Sequence, residues 1–196
     1  PLPLSMEYLK QSLEDTIIFN QKISTLSPEN NLLLLCGHGT KDCWNKLSRI
    51  SDIAELINYY PQLNWQLLLK EAKNRGALRL VLVGLSLANR LYQISLPDFL
   101  YDEINKDTKI KSLVNKIENI LFMASNTKKK ILRQFLFQIQ FRERFKDKIK
   151  PIFNLIFLPN YIDWLLFAPY ELPLICYYFL SPFTLLFKIV FKLKNQ

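Results

Sequence analysis

The sequence lacks several motifs that would identify an enzyme by themselves. Its only histidine is His38, which excludes a multi-histidine metal site. It contains no glycine-rich phosphate loop, no Gly-x-Ser-x-Gly turn and no Asp-x-Asp pair. Nucleotidyl and phosphoryl transfer usually need clustered carboxylates that hold divalent cations. We therefore expect that these residues do not carry such chemistry alone.

Cysteine and glycine are also scarce. Three cysteines without a pairing pattern argue against a disulfide framework and predict a reducing, cytoplasmic setting. Cys36, His38 and Cys43 do not have zinc-finger spacing, so we interpret both cysteines as small core residues. Only four glycines and 49% hydrophobic residues are typical of a folded, helix-rich protein.

The first residues contain no charged region followed by an apolar core, so no secretory signal is predicted. The chain starts at Pro1, within an apolar segment and without an initiating methionine. We expect from this that it is a fragment of a longer protein.

The pattern along the chain predicts a mainly α fold: a helical bundle-like region with a short N-terminal β-hairpin around Asn20-Gln21. An isolated hairpin is marginal in water, so we expect this one to extend a sheet outside the chain. Three parts are predicted: the hairpin at 1–26, a helical domain at 27–150, and a C-terminal tail at 151–196 that packs on it. The tail is rich in aromatic residues, and several prolines are expected to break it, namely Pro159, Pro169, Pro173 and Pro182.

The stretch Leu32–Ile57 contains the histidine and two of the three cysteines. Wound as one helix at about 100° per residue, it separates two faces. One face is apolar or small and carries Cys36, Cys43, Leu47, Ile50, Ala54 and Ile57. The opposite face is polar and carries His38, Lys41, Asn45, Ser48 and Asp52. The polar face is either a ligand-binding surface or a solvated one. Gly37 and Gly39 also allow two shorter helices that meet near His38.

The order of several short motifs resembles the uncharacterised nucleotidyltransferase family of the polymerase-beta-like superfamily. The motifs are Leu26-Ser27-Pro28-Glu29, His38-Gly39, Lys41, Trp44, Leu47, Asp52-Ile53, Asn64-Trp65, Ala72, Gly76 and Leu96-Pro97. The tail around Leu158-Pro159 and Asp163-Trp164 also resembles the C-terminal end of that family. Cys43 departs from the pattern, because that position beside the tryptophan is often a histidine.

This resemblance implies the C-terminal part of an enzyme that transfers a nucleotidyl group from an NTP to an unknown acceptor. The family's Gly-Ser and paired aspartates would precede Pro1, so Mg²⁺ and NTP are cofactors expected only of the full-length protein. No carboxylate of this fragment is expected to bind them, and the fragment is expected to be inactive alone. The predicted nucleotide-binding or substrate-binding residues are His38, Lys41, Asp52 and Asn45, and the predicted structural anchors are Trp44 and Trp65. Asp52 could instead pair with Arg49 or with a nearby helix, and a structural ion pair or hydrogen bond is the favoured interpretation for it.

A second hypothesis is a non-catalytic helical binding protein. Lys128–Lys150 holds nine Lys or Arg against two acidic residues and is predicted to form one basic helix that attracts phosphates. A solvent-exposed helix that is merely rich in Lys and Arg, without a phosphate ligand, is an equally good interpretation. The apolar stretch Leu172–Phe191 has about the length of a membrane span, but Pro173, Pro182 and Lys188 argue against one. We expect it to pack on the domain, and resting on a membrane surface is the alternative. A membrane surface is thus a candidate partner, and nucleic acid is not expected to be one.

Overall fold

The computed structural model describes residues 10, 13–122, 131–159, 161–167, 170 and 173–194. It is mainly helical with a two-stranded antiparallel hairpin, and this confirms the predicted fold class. The contacts divide the chain into two compact units, 1–143 and 144–196. The three-part division drawn from the sequence stays a prediction.

The hairpin pairs β1 (Leu13–Ile18) with β2 (Gln21–Leu26), and Ile18 lies opposite Gln21. Phe19 and Asn20 form the turn, with φ angles of 50° and 59°. Two successive positive φ angles are typical of a type I′ turn, whose twist matches that of the strands. The turn thus lies one residue earlier than the predicted Asn20-Gln21.

The helices of the first unit surround a central, largely buried one. That helix is α4, which contacts α1, α2, α3, α5 and α6. Buried leucines, isoleucines and valines of these helices form one continuous core. The bounds are α1 Pro28–Lys41, α2 Ser48–Tyr59, α3 Trp65–Asn74, α4 Leu78–Tyr92, α5 Asp98–Lys106, α6 Thr108–Phe122 and α7 Ile131–Gln140.

The stretch Leu32–Ile57 contains two helices, not one. α1 ends at Lys41 and α2 begins at Ser48, so a single helical wheel does not describe the faces. Leu47, assigned to the apolar face, lies in the connection and is half exposed. The other members of that face are buried. Part of the apolar pattern survives the break because both helices pack on α4.

The predicted basic helix over Lys128–Lys150 is wrong. α7 ends at Gln140, the next helix begins at Phe145, and the two helices belong to different units. The guanidinium of Arg79 donates to the carbonyls of Gln140 (3.0 Å) and Arg142 (3.2 Å), which holds the connection in a non-helical path. Lys128, Lys129 and Lys130 lie outside the described residues.

The second unit contains α8 (Phe145–Phe157), α9 (Tyr161–Phe167) and α10 (Leu174–Lys194), and α10 packs against the other two. Pro151 lies inside α8 and Pro182 inside α10, so Pro182 does not break the tail as predicted. A proline removes one helical hydrogen bond, and the packing of α8 and α10 against each other helps to offset that loss. Within the residues the structure describes, no helix is both long enough and apolar enough to span a membrane.

Candidate functional site at the end of helix α1

The four predicted binding residues lie on neighbouring elements and point to solvent. His38 and Lys41 are exposed on the last turn of α1. Asn45 is exposed in the connection 42–47, and Asp52 is exposed on α2. Within the described part of the chain, no hydrogen bond or ion pair joins these four side chains. The fold therefore supplies an open surface rather than a preassembled cluster.

The turn after Lys41 has a defined backbone geometry. The amide of Trp44 donates to the carbonyl of Gly39 (2.7 Å), and the amide of Cys43 donates to that of Thr40 (3.0 Å). These two bonds, with Cys43 in the left-handed region at φ 54°, form a Schellman motif that ends α1. The motif satisfies carbonyls that a helix end leaves free and sets the direction of the chain.

Trp44 follows that motif and is fully buried. A Cβ atom at position 39 would lie 2.5 Å from the Trp44 ring, so only glycine leaves room for the indole there. A Cβ atom at Gly84 of α4 would lie 2.6 Å from the sulfur of Cys36 and 3.1 Å from the same ring. Trp44 thus locks the end of α1 against the central helix.

Two further contacts support the turn from outside. The side-chain amide of Gln138, on α7, donates to the carbonyl of Lys41 (2.7 Å). Arg49 donates to one carboxylate oxygen of Asp42 through two nitrogens, at 3.0 and 3.2 Å. Arg49 therefore pairs with Asp42, and the ion pair considered for Asp52 is not formed. Asp52 has no ion pair among the described residues.

The same turn holds two buried polar atoms without a hydrogen-bond partner in the described part of the chain. They are the hydroxyl oxygen of Thr40 and the indole nitrogen of Trp44. A buried polar group left unpaired costs about 1–3 kcal/mol. The turn that carries His38 and Lys41 therefore keeps unused hydrogen-bonding capacity.

Neither thiol near the turn is a candidate nucleophile. Burial raises the pKa of the Cys36 thiol far above its usual range, so the sulfur stays protonated. Cys43 is buried as well. His38, two residues from Cys36, is exposed while that sulfur faces the core.

Sequence reasoning missed Arg79 and Gln138. Arg79 is buried at the start of α4 and pairs with Asp107 at 2.5 Å, and its backbone amide donates to Glu143 (2.9 Å). The sequence offered one sign of this role, because Arg79 is a charged residue within the apolar run Ala77–Gly84. A charged residue buried in such a run is usually paired. Nothing in the local sequence pointed to Gln138, whose partner lies 97 residues away.

The described residues do not fit a metal site. They contain no group of three or more His, Cys, Asp or Glu side chains that could hold a metal ion. Trp65, the other predicted anchor, begins α3 and is partly buried against the core.

Residues 3–93 match a family described as uncharacterised nucleotidyltransferase. This match confirms the predicted resemblance to that family over a region that includes the hairpin, α1, α2, α3 and α4. The polymerase-beta-like superfamily stays a prediction. The resemblance of the tail around Asp163-Trp164 lies beyond the match and stays a prediction. No curated protein and no solved structure matches the chain.

Proposed function

Because residues 3–93 match the uncharacterised nucleotidyltransferases, we propose that this chain supplies the helical part of a nucleotidyltransferase of the polymerase-beta-like superfamily. Such an enzyme transfers a nucleotidyl group from an NTP to an acceptor. The helical part forms one wall of the cleft, and the end of α1 faces the nucleotide. The acceptor is unassigned, and a cytoplasmic setting stays a prediction.

The family match carries the proposal, and the placement of the nucleotide at the end of α1 is supported by the rigid presentation of two exposed side chains there. His38 and Lys41 are three residues apart on the last turn of α1, so they lie on neighbouring parts of one surface. The Schellman motif, the buried Trp44 ring and the Gln138 amide all restrict the backbone beneath them. Binding residues that project from a fixed backbone lose little conformational freedom when a ligand arrives.

Each candidate has a role that suits its chemistry. The Lys41 ammonium pairs with the triphosphate as a point charge, and His38 donates a hydrogen bond to a phosphate oxygen. Asn45 and Asp52 are polar groups of suitable type for the acceptor or the ribose. Mg²⁺, which neutralises phosphate charge in such enzymes, would depend on carboxylates outside the described residues.

A binding measurement tests Lys41. Titration calorimetry with each of the four NTPs, in MgCl₂ and at low salt, gives the dissociation constant of the chain. Lys41→Ala is expected to raise that constant about three- to tenfold, the range for one partly exposed charged contact. Lys111→Ala, which removes an exposed lysine from α6, is the matched control and should bind like the wild type.

Equal affinity of wild type and Lys41→Ala would remove Lys41 from the site. The enzyme assignment has its own test, which is the coding sequence before Pro1. If that sequence holds no Gly-Ser followed by paired aspartates, the transfer reaction fails as a proposal.

A further inference from the structure

The second unit, residues 144–196, buries several polar side chains. Among those of its side chains whose burial the structure describes, which leave out 162, 167 and 186–194, four are buried, and every one carries an oxygen: Asp163, Tyr177, Ser181 and Thr184. In water-soluble domains the buried positions are mainly aliphatic and aromatic, and buried carboxylates are rare. The first unit, with its leucine-rich and isoleucine-rich core, follows that rule.

The polar interior of this unit is hydrogen-bonded. The Thr184 hydroxyl donates to a carboxylate oxygen of Asp163 at 2.6 Å, and the Ser181 hydroxyl donates to the carbonyl of Leu158 at 3.2 Å. The ring of Tyr177 stacks on that of Trp164, with centroids 4.1 Å apart. The Thr184–Asp163 bond and the ring stack hold α9 against α10, and the Ser181 bond holds α10 to the end of α8. Such hydrogen bonds do not depend on the burial of apolar groups, which gives no driving force for helix association in lipid.

The outer surface of the unit is apolar. On α10, Ile175, Phe179 and Phe183 are 65%, 71% and 69% exposed and recur every four residues. At helical spacing this stripe lies on the side opposite Tyr177 and Ser181. α8 carries a second exposed stripe at the same spacing, which begins at Phe145. Exposing apolar side chains to water costs free energy in proportion to their area. Inserting the stripes into lipid removes that cost.

Positive charge borders the apolar stripe of α8. Lys146 and Lys150 are exposed, each one residue after an exposed apolar residue of the stripe. Residues 144–196 contain seven Lys or Arg and three Asp or Glu, which is a net charge of +4. Lysines beside an inserted apolar face reach lipid phosphates with their flexible side chains.

We propose that residues 144–196 bind the surface of a membrane that contains anionic lipids. The stripes of α8 and α10 insert among the acyl chains of one leaflet, and Lys146 and Lys150 contact the headgroup phosphates. The buried Asp163–Thr184 contact holds the helices together while their apolar faces are in lipid. This inference is independent of the nucleotidyltransferase proposal, because it uses neither α1 nor the family match.

Vesicle flotation with the whole chain tests the apolar stripe. The wild type is expected to float with vesicles of phosphatidylcholine and phosphatidylserine. Phe179→Ser/Phe183→Ser should lower the partition coefficient about tenfold or more, because binding scales with inserted apolar area. Phe19→Ser is the matched control: it removes a phenylalanine that is 96% exposed in the hairpin turn and should float like the wild type.

A second variant measures the electrostatic contribution to membrane binding. Lys146→Gln/Lys150→Gln should lower partitioning onto anionic vesicles about fivefold for each lysine, and the difference should vanish in high salt.

Brominated acyl chains should quench the tryptophan fluorescence of the wild type. Trp164→Phe should remove most of that quenching, because Trp164 is the exposed tryptophan of this unit.

Three outcomes would overturn the proposal. In the first, the folded wild type stays in the aqueous fraction with both neutral and anionic vesicles. In the second, Phe19→Ser loses as much binding as Phe179→Ser/Phe183→Ser. In the third, sedimentation shows a wild-type dimer that the α10 variant converts to a monomer, without vesicle binding. That result would assign the stripe to contact between two copies.

Discussion

Gly39 and Trp44 illustrate how one residue depends on another that is close in sequence. The absence of a side chain at Gly39 lets the Trp44 ring lie against α1, and the positive φ angle of Cys43 turns the chain so that the ring reaches it. The sequence alone presented Gly39 as a weak point in a helix. The structure makes it the position that admits the tryptophan.

Gly39→Ala should lower the free energy of unfolding by about 2–4 kcal/mol, although alanine favours helix more than glycine does. The added methyl group would lie 2.5 Å from a fully buried ring that has little room to move. Urea unfolding followed by circular dichroism measures this. His38→Ala, an exposed change on the same helix, is the control and should stay within about 0.5 kcal/mol of wild type. An unchanged free energy of unfolding for Gly39→Ala would show that the Trp44 ring can move to make room for the methyl group.

At the scale of elements, α4 organises the first unit through both of its faces and its N-terminal end. Its apolar residues form the centre of the core, and Arg79 at its start binds Asp107 between α5 and α6. The same guanidinium binds the connection after α7. One buried cation therefore joins three parts of the chain that are distant in sequence.

Arg79→Met should lower the free energy of unfolding by about 3–5 kcal/mol, because it leaves Asp107 and two carbonyls without their donor. Arg90→Met is a matched control on the same helix. Arg90 is half exposed and pairs with Glu118 at 3.0 Å, so its loss should cost at most about 1 kcal/mol. Chemical denaturation of both variants checks the difference, and equal losses would contradict the role given to Arg79.

At the scale of the whole molecule, the chain contains two units with different buried side chains. The first has a largely aliphatic core with the buried cation Arg79 beside it. The described buried side chains of the second all carry oxygen. The two units should therefore respond separately to a substitution inside one of them.

Asp163→Ala should speed amide hydrogen exchange in α9 and α10 by about tenfold or more, because it removes the acceptor of the buried Thr184 hydroxyl. Exchange in α4 should not change, since that helix belongs to the other unit. Asp163→Asn keeps a carbonyl oxygen and should have a smaller effect. Mass spectrometry of peptides from both units measures the amide hydrogen exchange. Faster exchange in α4 as well would show that the units unfold together.

Short-range signals in the sequence were sufficient for the fold class, the hairpin and the helix starts. Ser27 and Asn64 cap α1 and α3, and the local sequence is sufficient for these helix starts because capping involves groups only three residues apart. The ordered motifs were sufficient for the family resemblance over residues 3–93. Periodicity alone did not separate one helix from two in Leu32–Ile57, since both helices keep an apolar face toward α4.

Tertiary contacts decided the rest. The turn after Lys41 depends on Gly84 and Gln138, which lie far along the chain, and the path after α7 depends on Arg79. The buried polar side chains of the second unit also required the folded chain, because the aromatic residues of the tail were compatible with either a core or a surface. Local patterns report which face of a helix is apolar, whereas the packing of distant elements determines what that face contacts.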